Sequence, residues 1–296
     1  MSGGGWTGCG RILALGKLKA HLDNIAFSHS VFALPFAYMG AFLAAGGLPG
    51  GEALLWITVA MVGARSAALA LNNLIDLKYD RLQPRLAVRP MVTGAVKPWE
   101  AALLVAVCLA VFVYAVYQLH PLARKLWPLA VIPFVVYPYM KRFSWSCHLV
   151  LGVALAGAPV GAWIAVRGDL TVTASVLAAA VGIWIAAFDV VYGCQDVAFD
   201  KAHGLCSLPV RFGVAGALRL ARLMHAASIA AFAAAGWLAG LGHWYYAGVA
   251  LAAAVLVYQH SIVAADDLSR VTQAYFMRNG LVGMVIFLFT VVSLLR

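Results

Sequence analysis

Residues 65–81 read RSAALALNNLIDLKYDR and join an apolar run to an acidic end. The apolar run, from Ala53 to Leu74, can cross a bilayer as one helix, because a hydrocarbon core of about 30 Å needs roughly 20 apolar residues. On a helix with 100° per residue, four polar side chains fall within about 60° of one another: Arg65, Asn72, Asp76 and Asp80. The stretch therefore predicts a membrane-spanning helix that carries one polar face to its end at the membrane surface.

The composition extends this prediction to the whole chain. Of 296 residues, 64% are hydrophobic and only 11% are charged, and the mean hydropathy is +0.90. A water-soluble globular protein has about a quarter of its residues charged, so a soluble fold and a disordered chain are both excluded. We expect an all-α integral membrane protein.

Nine apolar runs have the length of a transmembrane helix. They are Ser30 to Gly46, Ala53 to Leu74, Ala101 to Leu119, Leu126 to Met140, Cys147 to Val166, Val172 to Val191, Leu220 to Leu241, Trp244 to Ile262 and Gly280 to Leu295. The fourth run contains three prolines, at positions 128, 133 and 138, and we expect a kinked helix packed by protein rather than lipid. No linker divides the chain, so we predict a single membrane domain over residues 1–296 with an N-terminal cytoplasmic or interfacial segment at 1–27.

The positive charges lie mostly on one side of the predicted spans. Sixteen of the 21 Lys and Arg residues fall in the N-terminal segment or in or beside the even-numbered connections, and four fall on the other side. The positive-inside rule then places the N-terminus and the even connections in the cytoplasm. Topology and anionic lipid explain the formal charge of +10, so we expect no nucleic-acid partner.

A second acidic stretch follows the sixth run, where residues 188–201 read FDVVYGCQDVAFDK. Asp189, Asp196 and Asp200 return to within about 40° of one another on a helix. Ionised carboxylates at membrane depth cost roughly 2.5 kcal/mol or more each, so a cation should neutralise both stretches. We call residues 65–81 the first acidic station and residues 188–201 the second.

The ligand types favour magnesium at these stations. Oxygen ligands with little histidine or thiolate nearby suit Mg²⁺ better than zinc, and Mg²⁺ usually binds one or two carboxylates together with phosphate oxygens and water. A phosphorylated substrate is therefore implied. Basic residues interleaved with the aspartates suit a diphosphate, and they are Lys78, Arg81, Arg85, Arg89, Lys201 and Arg211.

Two other interpretations stay open at this point. Each aspartate taken singly is consistent with a solvated helix end, although two stretches with matched i, i+4 spacing argue against that interpretation. An ion-coupled transporter also uses intramembrane acids. The acids of this chain lie at helix ends on one side rather than at mid-membrane, which favours metal and diphosphate chemistry.

The two stations also resemble each other. When Asp76 and Asp80 are aligned with Asp196 and Asp200, Pro90 falls near Pro209, and Gly94 falls near Gly213 with a slip of one residue. This similarity indicates a duplication of the two halves.

On these residues, the chain resembles the UbiA family of membrane aromatic prenyltransferases, which carry an N-x-x-x-D-x-x-x-D motif and a second D-x-x-x-D motif. The motifs stand here as Asn72/Asp76/Asp80 and Asp196/Asp200. The similarity extends to the Phe-Ala-Leu-Pro-Phe run at 32–36, to the Pro84-Arg85 and Arg89-Pro90 pairs and to the Asp-Asp-Leu-Ser-Arg run at 266–270, so it covers nearly the whole chain.

The resemblance implies nine transmembrane helices in a bundle around a central active-site cavity, with Mg²⁺, as two ions, bridging the stations to a polyprenyl diphosphate. It implies metal ligation by Asn72, Asp76, Asp80, Asp196 and Asp200, with Asp76, Asp196 and Asp200 as catalytic residues. The residues it implies for substrate binding are Arg65, Asn72, Lys78, Arg85, Arg89, Asp189, Tyr192 and Lys201. Arg65 is the candidate for the acceptor carboxylate or for diphosphate contact, and Tyr192 for the allylic cation or a phosphate oxygen.

The expected reaction transfers the polyprenyl group to an aromatic carboxylic acid in ubiquinone or menaquinone biosynthesis. The expected acceptor is 4-hydroxybenzoate, and the alternative is 1,4-dihydroxy-6-naphthoate in the futalosine route to menaquinone. The resemblance further implies a bacterial-type inner membrane, with the active site on the cytoplasmic side and no protein partner. The chain departs from the family pattern at Gln83 and Leu86, where relatives commonly have asparagine and threonine.

Overall fold

The structure is a computed structural model that describes residues 16–25, 34–271 and 276–296, except the side chains of residues 276–279. Its described part contains helices and connections but no strand. The α-helices are α1 (16–24), α2 (Leu34–Ala45), α3 (Gly51–Asp80), α4 (Pro98–Tyr117), α5 (Pro121–Met140), α6 (Cys147–Arg167), α7 (Val172–Gly193), α8 (Val197–Ala202), α9 (Leu208–Leu238), α10 (His243–Ser261) and α11 (Phe276–Leu294). Short 3₁₀ helices lie at Pro84–Leu86 and Cys194–Asp196.

Each of the nine predicted spans coincides with a helix of the structure, but nine transmembrane helices are not confirmed. Five helical stretches of the described chain are long and apolar enough to cross a membrane: Gly51–Asp80, Pro98–Tyr117, Cys147–Arg167, Val172–Ala202 and Leu208–Leu238. Two further apolar helical stretches lie at the limits of the described residues, Leu34–Ala45 and Gly280–Leu294. The predicted start of the first span, with Phe32 and Ala33 of its motif, lies outside the described residues.

The expectation for the fourth span was wrong in one respect. Helix α5 runs from Pro121 to Met140 with all three prolines inside it, and Pro138 is its single buried residue. Leu129 is 64% exposed and Ile132 is 54% exposed. Apolar side chains that face outward at this depth suit lipid, so this helix forms an outer wall of the bundle and is not packed on all sides by protein.

The helices close into a bundle because α11 packs back against α2. Helix α7 lies against α6 and α9, while α3 pairs with α4. Glycine allows a close approach between α6 and α7: a Cβ at Gly152 would overlap the carbonyl oxygen of Gly182. Small residues at such crossings let helix backbones meet in a membrane.

An apolar core fills the bundle among α2, α6, α7, α9, α10 and α11. Phe36 and Trp184 place their ring centroids 5.0 Å apart, and Phe36 also stacks on Phe232. This core holds α7 in the middle of the bundle, so the acidic end of α7 is positioned by rigid packing.

Two glycines downstream of the stations have a positive φ. Gly94 has a φ of +82° and Gly213 a φ of +69°, and Gly213 interrupts α9 with a non-helical backbone. Only glycine adopts this region without a steric penalty. The two glycines that the self-alignment paired therefore share a positive φ.

Candidate active site

The two acidic stations meet in one pocket at one end of the bundle. The C-terminal turn of α3, the connection after it, the connection between α5 and α6, and the turn between α7 and α9 all contribute side chains. The pocket is lined by Asp76, Tyr79, Asp80, Gln83, Leu86, Pro138, Lys141, Arg142, Asp196, Phe199, Asp200 and Leu205. Four aspartates that are up to 124 residues apart in sequence therefore share one space.

At the first station, α3 continues without a break to Asp80. Asn72 donates a hydrogen bond to Asp76 at 3.0 Å, and Arg142 approaches the same carboxylate at 3.5 Å. Asp80 accepts from Arg89 at 2.6 Å. The predicted polar face is thus one surface, and it ends in two carboxylates that basic side chains already neutralise.

At the second station, α7 ends at Gly193 and a 3₁₀ turn carries the chain to Asp196 before α8 begins. Asp196 accepts from the Arg85 guanidinium at 2.9 Å through both of its carboxylate oxygens. The buried Gln83 amide also donates to it, at 2.6 Å. Two side chains of the connection after α3 therefore cross over to the second station.

Asp200 is the most enclosed of the four aspartates. It is 2% exposed, and its Oδ2 lies 3.8 Å from the Lys141 ammonium. That oxygen has no hydrogen-bond partner. A buried carboxylate oxygen without a donor is costly, and a bound cation would satisfy it.

The carboxylates of the pocket raise the pKa of two basic residues that lie outside the spans. Burial acts to lower the pKa of Lys141, but the carboxylates of Asp200, Asp189 and Asp196 outweigh burial and raise that pKa. Burial likewise acts to lower the pKa of Arg85, and Asp196 and Tyr192 raise it above its ordinary value. Both side chains therefore remain cations that can bind a phosphate oxygen.

Tyr192 contacts Arg85, which in turn binds Asp196 of the pocket. Its hydroxyl lies 3.1 Å from an Arg85 nitrogen, and the guanidinium carbon lies 5.3 Å from the centre of its ring. The π face and the hydroxyl of Tyr192 therefore both contact the Arg85 guanidinium.

Deeper along α7, Asp189 pairs with a histidine that the sequence analysis did not select. His148 Nδ1 lies 2.6 Å from Asp189 Oδ2, and His148 is 1% exposed. Arg65 lies within α3, and its Nε is buried without a hydrogen-bond partner. Neither Asp189 nor Arg65 lines the pocket of the four aspartates.

Of the other predicted substrate-binding residues, Lys78 and Lys201 are exposed and lie outside the pocket lining. Asn72, Arg85 and Arg89 also lie outside the lining, but each donates to one of its aspartates. The basic residues that meet Asp76 and Asp200 are instead Arg142 and Lys141, at the start of the connection between α5 and α6. Their position directly after a predicted span, on the same side as both stations, was the available signal.

The donor set suits magnesium bound together with a phosphate. Within residues 16–25, 34–271 and 280–296, no three Asp, Glu, His or Cys side chains lie close enough to hold a metal ion by themselves. Mg²⁺ typically binds one or two carboxylates and completes its shell with phosphate oxygens and water. Pairs of carboxylates on facing helices fit that demand, and Asp200 Oδ2 offers an unsatisfied ligand atom.

Comparison with known proteins finds similarity over most of the chain. The model of the UbiA prenyltransferase family matches residues 33–281. A 4-hydroxybenzoate octaprenyltransferase of Aromatoleum aromaticum is 33% identical over 256 residues, which cover 85% of each chain. One of Aeromonas salmonicida is 34% identical over 259 residues, covering 86% of this chain and 87% of the relative.

Solved structures share the fold. The apo structure of a UbiA homolog from Aeropyrum pernix K1 is 36% identical with a TM-score of 0.81, covering 90% of this chain and 98% of that chain. A UbiA homolog from Archaeoglobus fulgidus bound to DMAPP and Mg²⁺ has a TM-score of 0.72 at 19% identity, covering 93% and 98%. The predicted membership is confirmed: this chain belongs to the UbiA prenyltransferase family.

Proposed function

We propose that this chain transfers a polyprenyl group from polyprenyl diphosphate to an aromatic carboxylic acid in a Mg²⁺-dependent reaction. One observation carries the proposal. Four aspartates from two distant stations meet in one pocket, and each is paired with a basic side chain that could bind a diphosphate: Arg142, Arg89, Arg85 and Lys141.

The aspartates are assigned to the metal and the basic residues to the leaving group. Asn72, Asp76, Asp80, Asp196 and Asp200 would hold two Mg²⁺ ions, which supply Lewis-acid stabilisation of the diphosphate when bound. Arg85, Arg89, Lys141 and Arg142 would bind the diphosphate oxygens. Asp76, Asp196 and Asp200 are the catalytic set, because they hold the charge on which departure of the diphosphate depends.

The protein also has to control the allylic cation that remains. Tyr192 presents its ring close to the pocket and can stabilise the cation through its π face. The apolar side chains of the pocket wall, Leu86, Pro138 and Leu205, limit contact of the cation with water that would otherwise quench it. Arg65 receives the carboxylate of the acceptor deeper in the bundle.

We assign 4-hydroxybenzoate as the acceptor, in quinone biosynthesis, because the curated relatives carry that acid in their names. The naphthoate 1,4-dihydroxy-6-naphthoate is the alternative acceptor for the same chemistry. Lys78 and Lys201 remain proposed substrate contacts only for a state in which their exposed side chains fold over the pocket. Membership of a prenyltransferase family does not favour the ion-coupled transporter.

We also propose the membrane in which the chain lies and its orientation there. We propose a single multi-pass domain over residues 1–296 in a bacterial-type inner membrane, and the charge asymmetry supports its orientation. In that orientation the N-terminus and the pocket face the cytoplasm, where both diphosphate and acceptor are available. No protein partner is needed for the reaction.

The decisive experiment measures diphosphate release and prenylated product from the purified chain in detergent. Release should require Mg²⁺ and an aromatic acceptor together, and the product mass should identify the preferred acid when both acids compete. Release that ignores the acceptor, or solute movement in liposomes without consumption of prenyl diphosphate, would contradict the proposal.

A further inference from the structure

A buried ion pair lies beneath the pocket of the four aspartates. His148, in the first turn of α6, places Nδ1 at 2.6 Å from Asp189 Oδ2 on α7. A carboxylate can only accept, so the Nδ1 nitrogen carries the hydrogen. His148 is sealed at 1% exposure, whereas the side chain of Asp189 keeps 19%. One oxygen of Asp189 is therefore held while part of the carboxylate faces open space.

Asp189 is the carboxylate that the imidazole contacts directly, and the adjacent Cys147 side chain is a second polar neighbour. The Nε2 atom of His148 is buried and has no hydrogen-bond partner. Gly193 makes room for the ring, since a Cβ there would come within 3.0 Å of Cε1 and 3.6 Å of Nε2. A histidine fixed in this way, with its second nitrogen unused, directs its charged contact to Asp189.

The position of Asp189 fits contact with an acceptor ring. Asp189 lies about one turn before the end of α7, and the 3₁₀ turn that follows carries Asp196. Arg65 precedes Asp76 by eleven residues, about 16 Å along α3, and shares the face of its station. The two groups thus lie at successive depths below the metal pocket, with the carboxylate of Asp189 nearer to it.

An aromatic acid with a hydroxyl at one end and a carboxylate at the other matches this order. Its carboxylate would pair with Arg65 and its hydroxyl would meet Asp189, with the ring facing the reactive carbon of the prenyl group. Building on the proposed function, we infer that His148 is a positioning residue that keeps Asp189 ionised and aimed at the ring hydroxyl of the acceptor.

The physical reason is the cost of a lone buried carboxylate. Without a partner, a carboxylate in a low-dielectric bundle takes up a proton and loses its ability to accept another. Lys141 contributes a positive charge to the same region, and Tyr137 lies within electrostatic range of Asp189. His148 makes the direct contact that fixes which oxygen remains available.

The chemical step balances with the groups present. The bond between the allylic carbon and the diphosphate oxygen breaks, and its electron pair leaves with the diphosphate. A ring carbon next to the hydroxyl forms the new carbon–carbon bond while the hydroxyl proton moves to Asp189, giving a neutral dienone. The ring C–H proton then passes to the diphosphate, and the hydroxyl oxygen recovers its proton from Asp189.

The test compares two acceptors, 4-hydroxybenzoate and 4-methoxybenzoate, with a polyprenyl diphosphate that the wild type accepts. The methoxy acid has no proton to give, so proton acceptance by Asp189 cannot help it. We expect His148→Leu to reduce the ratio of kcat/KM values, hydroxy over methoxy, at least about 10-fold, because general-base catalysis contributes roughly 100-fold or more. The rate with the methoxy acid and the KM for prenyl diphosphate should stay within about 3-fold.

Two further variants, one conservative and one control, accompany the His148→Leu test. His148→Gln keeps a donor toward Asp189 without the charge, so the ratio should fall by at least about 3-fold but less than in His148→Leu. If the leucine variant does not fold, the glutamine variant decides. His225→Gln is the matched control, because His225 is also buried, at 2% exposure, but pairs with His260 at 2.8 Å; its ratio should match the wild type.

An equal loss with both acceptors in His148→Leu, or an unchanged ratio in a folded His148→Gln, would overturn the inference and leave His148 a packing residue. Failure of the proposed function has another signature: the wild type itself would then transfer no prenyl group to either acid.

Discussion

The two acidic stations carry similar motifs and differ in how they are built. The first is the end of one continuous helix, and the Asp76 side chain there keeps 26% exposure. The second is divided by a 3₁₀ turn, and the Asp200 side chain keeps only 3%. The second station is therefore the enclosed half of the pocket, and the first is the half open to an arriving ligand.

The stations also differ in the source of their cations. Asp80 is paired with Arg89 from the connection that follows its own helix. Asp196 instead takes Arg85 from that same connection, and Asp200 takes Lys141 from the connection between α5 and α6. The second station contributes carboxylates but none of these cations, so the first half of the chain neutralises both stations.

Removal of one carboxylate from each station should have the largest effect. Asp196 receives three donor contacts and Asp76 two, so Asp196→Asn should lower kcat/KM by about 1,000-fold and Asp76→Asn by about 100-fold. Product formation at saturating Mg²⁺ measures both. Asp267→Asn, in an exposed turn where Ser269 holds the pKa of Asp267 below its usual value, should leave the rate unchanged. A larger loss at Asp76 than at Asp196 would reverse the comparison.

The second test concerns two lysines near Asp200. Lys141 contacts the carboxylate in space, whereas Lys201 adjoins it in sequence and is exposed. Lys141→Met should raise the KM for prenyl diphosphate about 30-fold, because a partly buried cation in the pocket is lost. Lys201→Met should raise that KM by only about 3-fold, because an exposed cation contributes little. Equal effects of the two substitutions on this KM would show that proximity to Asp200 in sequence, rather than contact in the pocket, determines the contribution of a lysine to diphosphate binding.

The third test asks whether Arg85 and a metal ion compete for Asp196. Because Arg85 occupies both carboxylate oxygens, Arg85→Ala should tighten Mn²⁺ binding several-fold without diphosphate, by about 1 kcal/mol. With inorganic pyrophosphate present, the variant should bind Mn²⁺ more weakly than the wild type. Titration calorimetry measures both conditions. Arg81→Ala, at an exposed position of the same connection, should alter neither, and a uniform loss in both conditions would contradict competition.

The smallest effect should come from the amide that bridges the stations. Gln83 reaches Asp196 at 2.6 Å, and Gln83→Asn shortens that side chain by one carbon. Loss of a hydrogen bond to a charged group is about 1.5 kcal/mol, so kcat/KM should fall roughly 10-fold. Gln83→Glu places a like charge beside Asp196 and should lower it further. An asparagine variant as active as the wild type would show that the bridge is dispensable.

Local periodicity was enough to predict the first station. A 3.6-residue repeat placed Asn72, Asp76 and Asp80 on one face, and α3 carries them there without interruption. The same reasoning treated the second station as one helix, but a 3₁₀ turn ends α7 before Asp196. A change of helix type depends on packing against α9 and on the neighbouring connections, which no local pattern contains.

The partners of the aspartates were the part that sequence reasoning missed. The sequence pattern marks Lys141 and Arg142 only as positive charges beside a predicted span, whereas Lys78 and Lys201 adjoin the acidic motifs. Contacts between residues far apart in sequence arise from tertiary packing, so proximity along the chain is a weak guide to them. His148 gave no signal at all, since its role depends on α6 lying against α7.

The bond between Arg85 and Asp196 also bears on how such a chain can be divided. If the molecule arose from two fused copies, each copy once had to satisfy its own acidic residues. The crossing of Arg85 means that this self-sufficiency has been lost. Fragments divided between α5 and α6 would each carry an incomplete set of charges. Co-expression of the two fragments should restore the complete pocket, which neither fragment forms alone.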